Sequence, residues 1–63
     1  MVIDWQRSGN DYIAALDGYS FEVFKKGKWK WYVFKENKDV DHGKSKTLEL
    51  AKEAAKKAYE KHL

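Results

Sequence analysis

Residues 25–35 read KKGKWKWYVFK, and the fold turns on this run. Five lysines and four aromatics (Trp29, Trp31, Tyr32 and Phe34) share eleven positions with no acid among them. Bulky side chains alternating with lysines suit a pleated, half-buried surface, so the run reads as a strand. Lys25-Lys26-Gly27 ahead of it reads as a three-residue hairpin loop, a type I turn closed by glycine in the left-handed conformation. In that register Val23 faces Trp29, Phe21 faces Trp31, Tyr19 faces Val33, and Glu22 lies opposite Lys30 as a favourable cross-strand pair.

One hairpin further back, Asp17-Gly18 is a two-residue turn signal, because a type I′ turn needs positive φ at both central positions. Leu16 then pairs with Tyr19, Ala14 with Phe21 and Tyr12 with Val23. The two hairpins together place Tyr12, Ala14, Leu16, Tyr19, Phe21, Val23, Trp29, Trp31 and Val33 on one face. Ile13, Ala15, Ser20, Glu22, Phe24, Lys28, Lys30, Tyr32 and Phe34 fall on the other. A one-residue slip would scatter the aromatics over both faces.

Outward from this meander, residues 6–11 (QRSGND) carry turn chemistry, and residues 1–5 read as a short strand or a packed arm. Residues 36–46 (ENKDVDHGKSK) read as a polar connection with a weak edge extension near Val40. Thr47 is an N-cap with Glu49 in the first turn, where a carboxylate suits the helix dipole. Residues 48–62 then read as a helix, with Leu48, Leu50, Ala51, Ala54, Ala55, Ala58 and Tyr59 on one arc. Glu53 and Lys57 have the favoured i,i+4 orientation on the solvated arc. The expected architecture is α+β, a single domain over residues 1–63. It is a three-stranded antiparallel meander, with a possible short N-terminal strand, packed on one C-terminal helix.

Sixty-three residues are few for a self-sufficient core. With no cysteine, neither disulfides nor thiolate metal sites can help, and burial of three tryptophans, four tyrosines and three phenylalanines has to supply the stability. Absence of cysteine fits a reducing compartment, and no stretch has the length and apolarity of a membrane span or a secretory leader. A cytoplasmic protein without a membrane partner is the expectation. The formal net charge is +3, and Arg7 is the only arginine. Arginine is the usual bidentate reader of guanine, so base-specific DNA readout is disfavoured.

No Ser, His and acid stand in a recognisable catalytic order, and one helix on a small sheet offers no deep pocket, so enzymatic activity is not expected. Asp39, Asp41 and His42 form a D-x-D-H cluster, but no distant ligand pattern completes it, and neither a metal nor another cofactor is expected. The remaining signal is the face that one helix leaves uncovered. Aromatic side chains stack on bases and lysines follow the phosphate backbone. Phe24, Lys28, Lys30, Tyr32 and Phe34, joined by Lys25 and Lys26 at the turn and by Lys44 and Lys46 before the helix, are the candidate contact residues.

The strand–strand–strand–helix order, with GKWKWYVF at 27–34 and TLELAKEAAKKA at 47–58, resembles the arm-type DNA-binding domains of tyrosine integrases and the plant AP2-type domain. The likeness covers residues 12–59 and implies that the exposed sheet face, here Phe24, Lys28, Lys30, Tyr32 and Phe34, meets the DNA major groove. Those families read DNA largely with arginine, whereas this face is lysine and aromatic. Gly43, Ser45, Lys46, Ala51, Lys52, Ala54, Ala55 and Ala58 also resemble the C-terminal run of double-stranded-RNA-binding domains, though with a gap two residues longer and no first helix. Size and style further resemble small accessory proteins of phages and mobile elements, many of which inhibit host proteins by direct contact. A nucleic-acid-binding module, for DNA rather than RNA, is therefore the first expectation. A protein-interaction module, either an accessory inhibitor of a host protein or a homodimer, is the second, with Ile13, Phe24, Tyr32 and Phe34 as anchors.

Overall fold

The structure, a computed structural model, describes residues 3–62. Five strands and one helix follow in order: β1 (Gln6–Ser8), β2 (Asp11–Leu16), β3 (Tyr19–Lys26), β4 (Lys28–Lys35), β5 (Lys38–Ser45) and α1 (Leu48–Lys61). The strands form one antiparallel sheet in sequence order, β1-β2-β3-β4-β5. The α+β class and the C-terminal helix match the expectation, whereas the strand count rises from three to five.

Both extra strands are polar, which is why they read as turn and connection. In β1 all three residues are exposed, and the strand exists because the Gly9–Asn10 turn folds it back on β2, pairing Gln6 with Ile13 and Ser8 with Asp11. In β5 (KDVDHGKS) only Val40 is a strand-favouring residue. A two-residue turn at Glu36 (φ 52) and Asn37 (φ 67) returns it along β4, closing on the Lys35↔Lys38 pair. Positive φ at both positions is the type I′ requirement, met here without the Asp-Gly or Asn-Gly signature. Residues 3–5 form no strand, and residues 1 and 2 lie outside the described residues.

The Asp17-Gly18 hairpin has the expected register, Leu16↔Tyr19, Ala14↔Phe21 and Tyr12↔Val23, with φ of 53 and 81 at the turn. The next hairpin differs. Pairing runs on to Lys26↔Lys28, leaving Gly27 (φ 76) alone at the tip. A single-residue tip needs a left-handed residue at that point, which glycine supplies without a steric penalty. Partners therefore move by two residues: Val23 pairs with Trp31, Phe21 with Val33 and Tyr19 with Lys35. Because the shift is even, every side chain keeps its face. The expected Glu22–Lys30 pair is replaced by Glu22↔Tyr32 and Phe24↔Lys30.

Helix α1 packs across β3, β4 and β5. Thr47 caps it, its Oγ1 accepting a hydrogen bond from the Leu50 N–H at 3.2 Å. Ala51, Ala55, Ala58 and Tyr59 are buried, the last three in one cluster with Tyr19, Phe21 and Val33. The alanines let the helix approach the sheet closely, while Tyr59 meets Tyr19 and Phe21 edge-on at 5.1 and 5.6 Å. Leu50, expected on the packed arc, is 54% exposed. Glu53 and Lys57 form no ion pair. The helix end is tied to the first long hairpin: the Tyr59 hydroxyl donates to Asp17 Oδ2 at 2.6 Å, and the Tyr19 hydroxyl donates to the His62 carbonyl at 3.0 Å.

The bond to Asp17, with burial and the negative charge of Asp17 behind it, pushes the Tyr59 phenol up to about 12. The folded state thus favours protonated Tyr59. Its contribution is complete below the ordinary tyrosine value of 10.0 and disappears as pH rises through about 12. Denaturation midpoints of the native chain and Tyr59→Phe should converge across that window. Parallel decline of the two would show that this bond is not responsible.

Candidate nucleic-acid interface

The position of the N-terminal arm decides whether the second sheet face is free. Ile3 and Trp5 pack against the core on the helix side, with the Trp5 ring 5.9 Å from Phe21 and Lys52 Nζ 5.8 Å above it. The face away from α1 is thus covered neither by the helix nor by Ile3 and Trp5, and Asp4 reaches it only beside the groove near Phe34.

Alternation along the strands puts Phe24, Lys28, Lys30, Tyr32, Phe34 and Lys44 on this open face. Lys26 has the same parity at the hairpin tip, and Lys46 follows directly after β5. Lys25 does not belong there: it pairs with Trp29 and turns to the helix side, its Nζ 5.9 Å from the Trp29 ring. Eight of the nine expected contact residues are thereby on or beside one surface.

Three rings run across it in parallel. Phe24 and Tyr32 are 5.7 Å apart with planes 5° off parallel, and Tyr32 and Phe34 are 6.0 Å apart at 9°. His42, directly across from Tyr32, extends the row at 5.7 Å. The rings are half-buried against their neighbours rather than enclosed in the core. Sequence reading omitted His42 because β5 did not read as a strand, although its alternation with Lys44 would have revealed it.

Charge is divided between the two ends of the row. At the Phe24 end, Lys26 lies opposite Lys28 and Lys30 opposite Lys44. Among the described residues no lysine or arginine has a carboxylate within 4.0 Å. At the Phe34 end, Asp39 lies opposite Phe34 and holds His42 through a 3.2 Å Oδ2–Nδ1 contact. A shallow groove of about 490 Å³ beside Phe34 is floored by Ala15 and Ser20 and edged by Ile13, Asp4 and Glu22.

The D-x-D-H cluster is split by the sheet. A bulge at Val33/Phe34 turns Val40 onto the core and sends Asp41 to His62 on the helix side at 3.8 Å, while Asp39 and His42 stay on the open face. Among the described residues no three acidic or histidine side chains gather to hold a metal ion, and no helix is long and apolar enough to cross a membrane.

No family model matches the chain, and no curated protein or solved structure matches it either.

Proposed function

We propose that the chain is a non-enzymatic nucleic-acid-binding module whose contact surface is the open sheet face. One observation carries this reading: two like-charged cross-strand pairs, Lys26↔Lys28 and Lys30↔Lys44, stand side by side with no carboxylate within 4.0 Å of them among the described residues. Like charges directly opposite each other destabilise a sheet. A run of phosphates relieves that repulsion, and the adjoining Phe24–Tyr32–Phe34 row gives bases an aromatic surface.

The resemblance to integrase arm-type and AP2-type domains suggests docking by the sheet face, but the width of this sheet weighs on the mode. Five strands at about 4.8 Å spacing exceed a major groove of about 12 Å, which admits a two-stranded ribbon. A single strand laid along the aromatic row fits the face better than groove insertion, and DNA remains the preferred ligand. In a titration of mixed-sequence oligonucleotides, single-stranded DNA should bind tightest, with duplex DNA and RNA weaker. Affinity should fall steeply between about 50 and 200 mM salt through counterion release. Absence of binding at the lower salt ends the proposal.

The second reading is a homodimer through the same face, favoured by the acids at its far end. A copy related by a two-fold axis would bring the lysine end of one sheet over Asp4, Glu22 and Asp39 of the other. Sedimentation of the free protein separates the readings, since a monomer at high micromolar concentration leaves this one without support. A host-protein partner, as for a phage or mobile-element accessory factor, would use the same aromatic anchors.

A further inference from the structure

The opposite side of the molecule carries a second basic and aromatic feature. Arg7, Asn10, Tyr12, Lys25 and Trp29 line a depression of about 310 Å³ beside α1. Four strands line it: β1 supplies Arg7, β2 Tyr12, and the ends of β3 and β4 Lys25 and Trp29, while Lys52 of α1 lies against the Tyr12 ring without lining the cleft itself.

Tyr12 and Trp29 form the aromatic walls, their rings 6.4 Å apart and tilted by 60°. Most other helix-side rings are used in packing: Tyr19, Phe21 and Tyr59 are buried in the core, and Trp5 and Trp31 lie against it. Tyr12 and Trp29 stay half-buried outside that cluster. Each of the two rings has a lysine beside it. Lys52 Nζ lies 4.6 Å from the Tyr12 ring centre, and Lys25 Nζ lies 5.9 Å from that of Trp29. Arg7 donates through Nε to the Gly9 carbonyl at 2.9 Å, which fixes the guanidinium and leaves its two terminal amino groups without a partner among the described residues. Among the described residues none of these cations has a carboxylate within 4.0 Å.

We propose that this cleft is a second ligand site that takes a nucleotide, a planar base joined to a phosphate. The base packs on Trp29 and Tyr12, Asn10 offers both a donor and an acceptor to its edge, and the phosphate meets Arg7, Lys25 and Lys52. A forked guanidinium beside two ammoniums suits a phosphate dianion better than a carboxylate. The volume lies at the lower end of the range for small-molecule sites and matches one nucleotide rather than a longer ligand. This site shares no side chain with the open face, so the two proposals stand or fall separately.

The same chemistry is offered by a free nucleotide and by the 5′-phosphorylated end of a strand. The full chain, labelled with ¹⁵N, is titrated with AMP, with adenosine, and with a short oligonucleotide with and without a 5′-phosphate. The indole N–H resonance of Trp29 is followed. Saturable shifts with AMP and not with adenosine, weakened at least about tenfold by Arg7→Gln and Lys52→Gln but not by Lys57→Gln on the exposed helix face, support a free-nucleotide site. The same dependence seen with the phosphorylated oligonucleotide alone supports a strand-end site. No Trp29 response to AMP or to the phosphorylated oligonucleotide up to about 10 mM overturns the proposal, as does equal weakening by Lys57→Gln.

Discussion

Replacing Lys28, Lys30 and Lys44 together by alanine should lower the salt dependence of oligonucleotide binding by about 2 to 3 in log–log slope. Each phosphate contact contributes about 0.9 to that slope on duplex DNA and about 0.7 on single strands. Across a change from about 50 to 200 mM salt, three lost contacts leave the variant roughly 20- to 40-fold less sensitive than the native chain. Affinity at low salt should fall as well. All three lysines project from the open face, and two of them, Lys30 and Lys44, form a like-charged cross-strand pair. Their removal relieves repulsion, so thermal stability should hold or rise slightly. Opposite signs for binding and stability separate this surface from one that only solubilises the sheet. Unchanged affinity and slope in the variant would mean that nucleic acid, if bound, is held elsewhere.

The second large effect concerns Gly43. Gly43 lies directly across from Trp31, and its backbone carries the indole. A Cβ built there would lie 2.7 Å from Cζ2 and 2.9 Å from Nε1 of Trp31. Such a separation is well inside contact distance, so Gly43→Ala must push the ring off the strand or bend β5 away from β4. Overpacking of this kind costs about 1–3 kcal/mol. In a domain this small that corresponds to a fall in Tm of roughly 5–20 °C. The same change beside Trp31→Leu should cost much less, because the clash partner is gone, and a double-mutant cycle would record the coupling. An additive cycle would place the sensitivity of Gly43 in its backbone and not in the indole. An aromatic ring laid over a cross-strand glycine is a known way of filling the gap that glycine leaves in a sheet.

Gly43 also shows where sequence reading stopped. The central hairpins were legible because Asp17-Gly18 fixes one register and the alternation of Tyr19, Phe21, Val23, Trp31 and Val33 fixes the face. An even slip in the second hairpin left that face intact, so the open surface was foreseen with the wrong cross-strand partners. Strand β5 was not legible. Its inward positions are Val40, Asp41, Gly43 and Ser45, which bury almost nothing apolar, and it is held by backbone pairing to β4 and by a turn without the usual residues. Strand β1 was hidden in the same way, and with it the helix-side cleft, since Arg7 read as part of a turn. The placement of Lys25 depended on the exact hairpin tip, which a tight single-glycine reversal shifted by two residues.

Strand neighbours in space are also neighbours along the chain, so no strand has to wait for a distant segment before it can pair. Closing each hairpin costs little loop entropy, and a topology of this kind permits rapid, stepwise zipping of the sheet. The contacts of longest span join the helix C-terminus to the β2–β3 hairpin, 42 residues from Tyr59 to Asp17 and 43 from Tyr19 to His62, and loop entropy favours their closing after the hairpins. Those two phenols therefore serve as a latch on an already assembled sheet, and loosening them hastens the escape from the native state more than it delays arrival there.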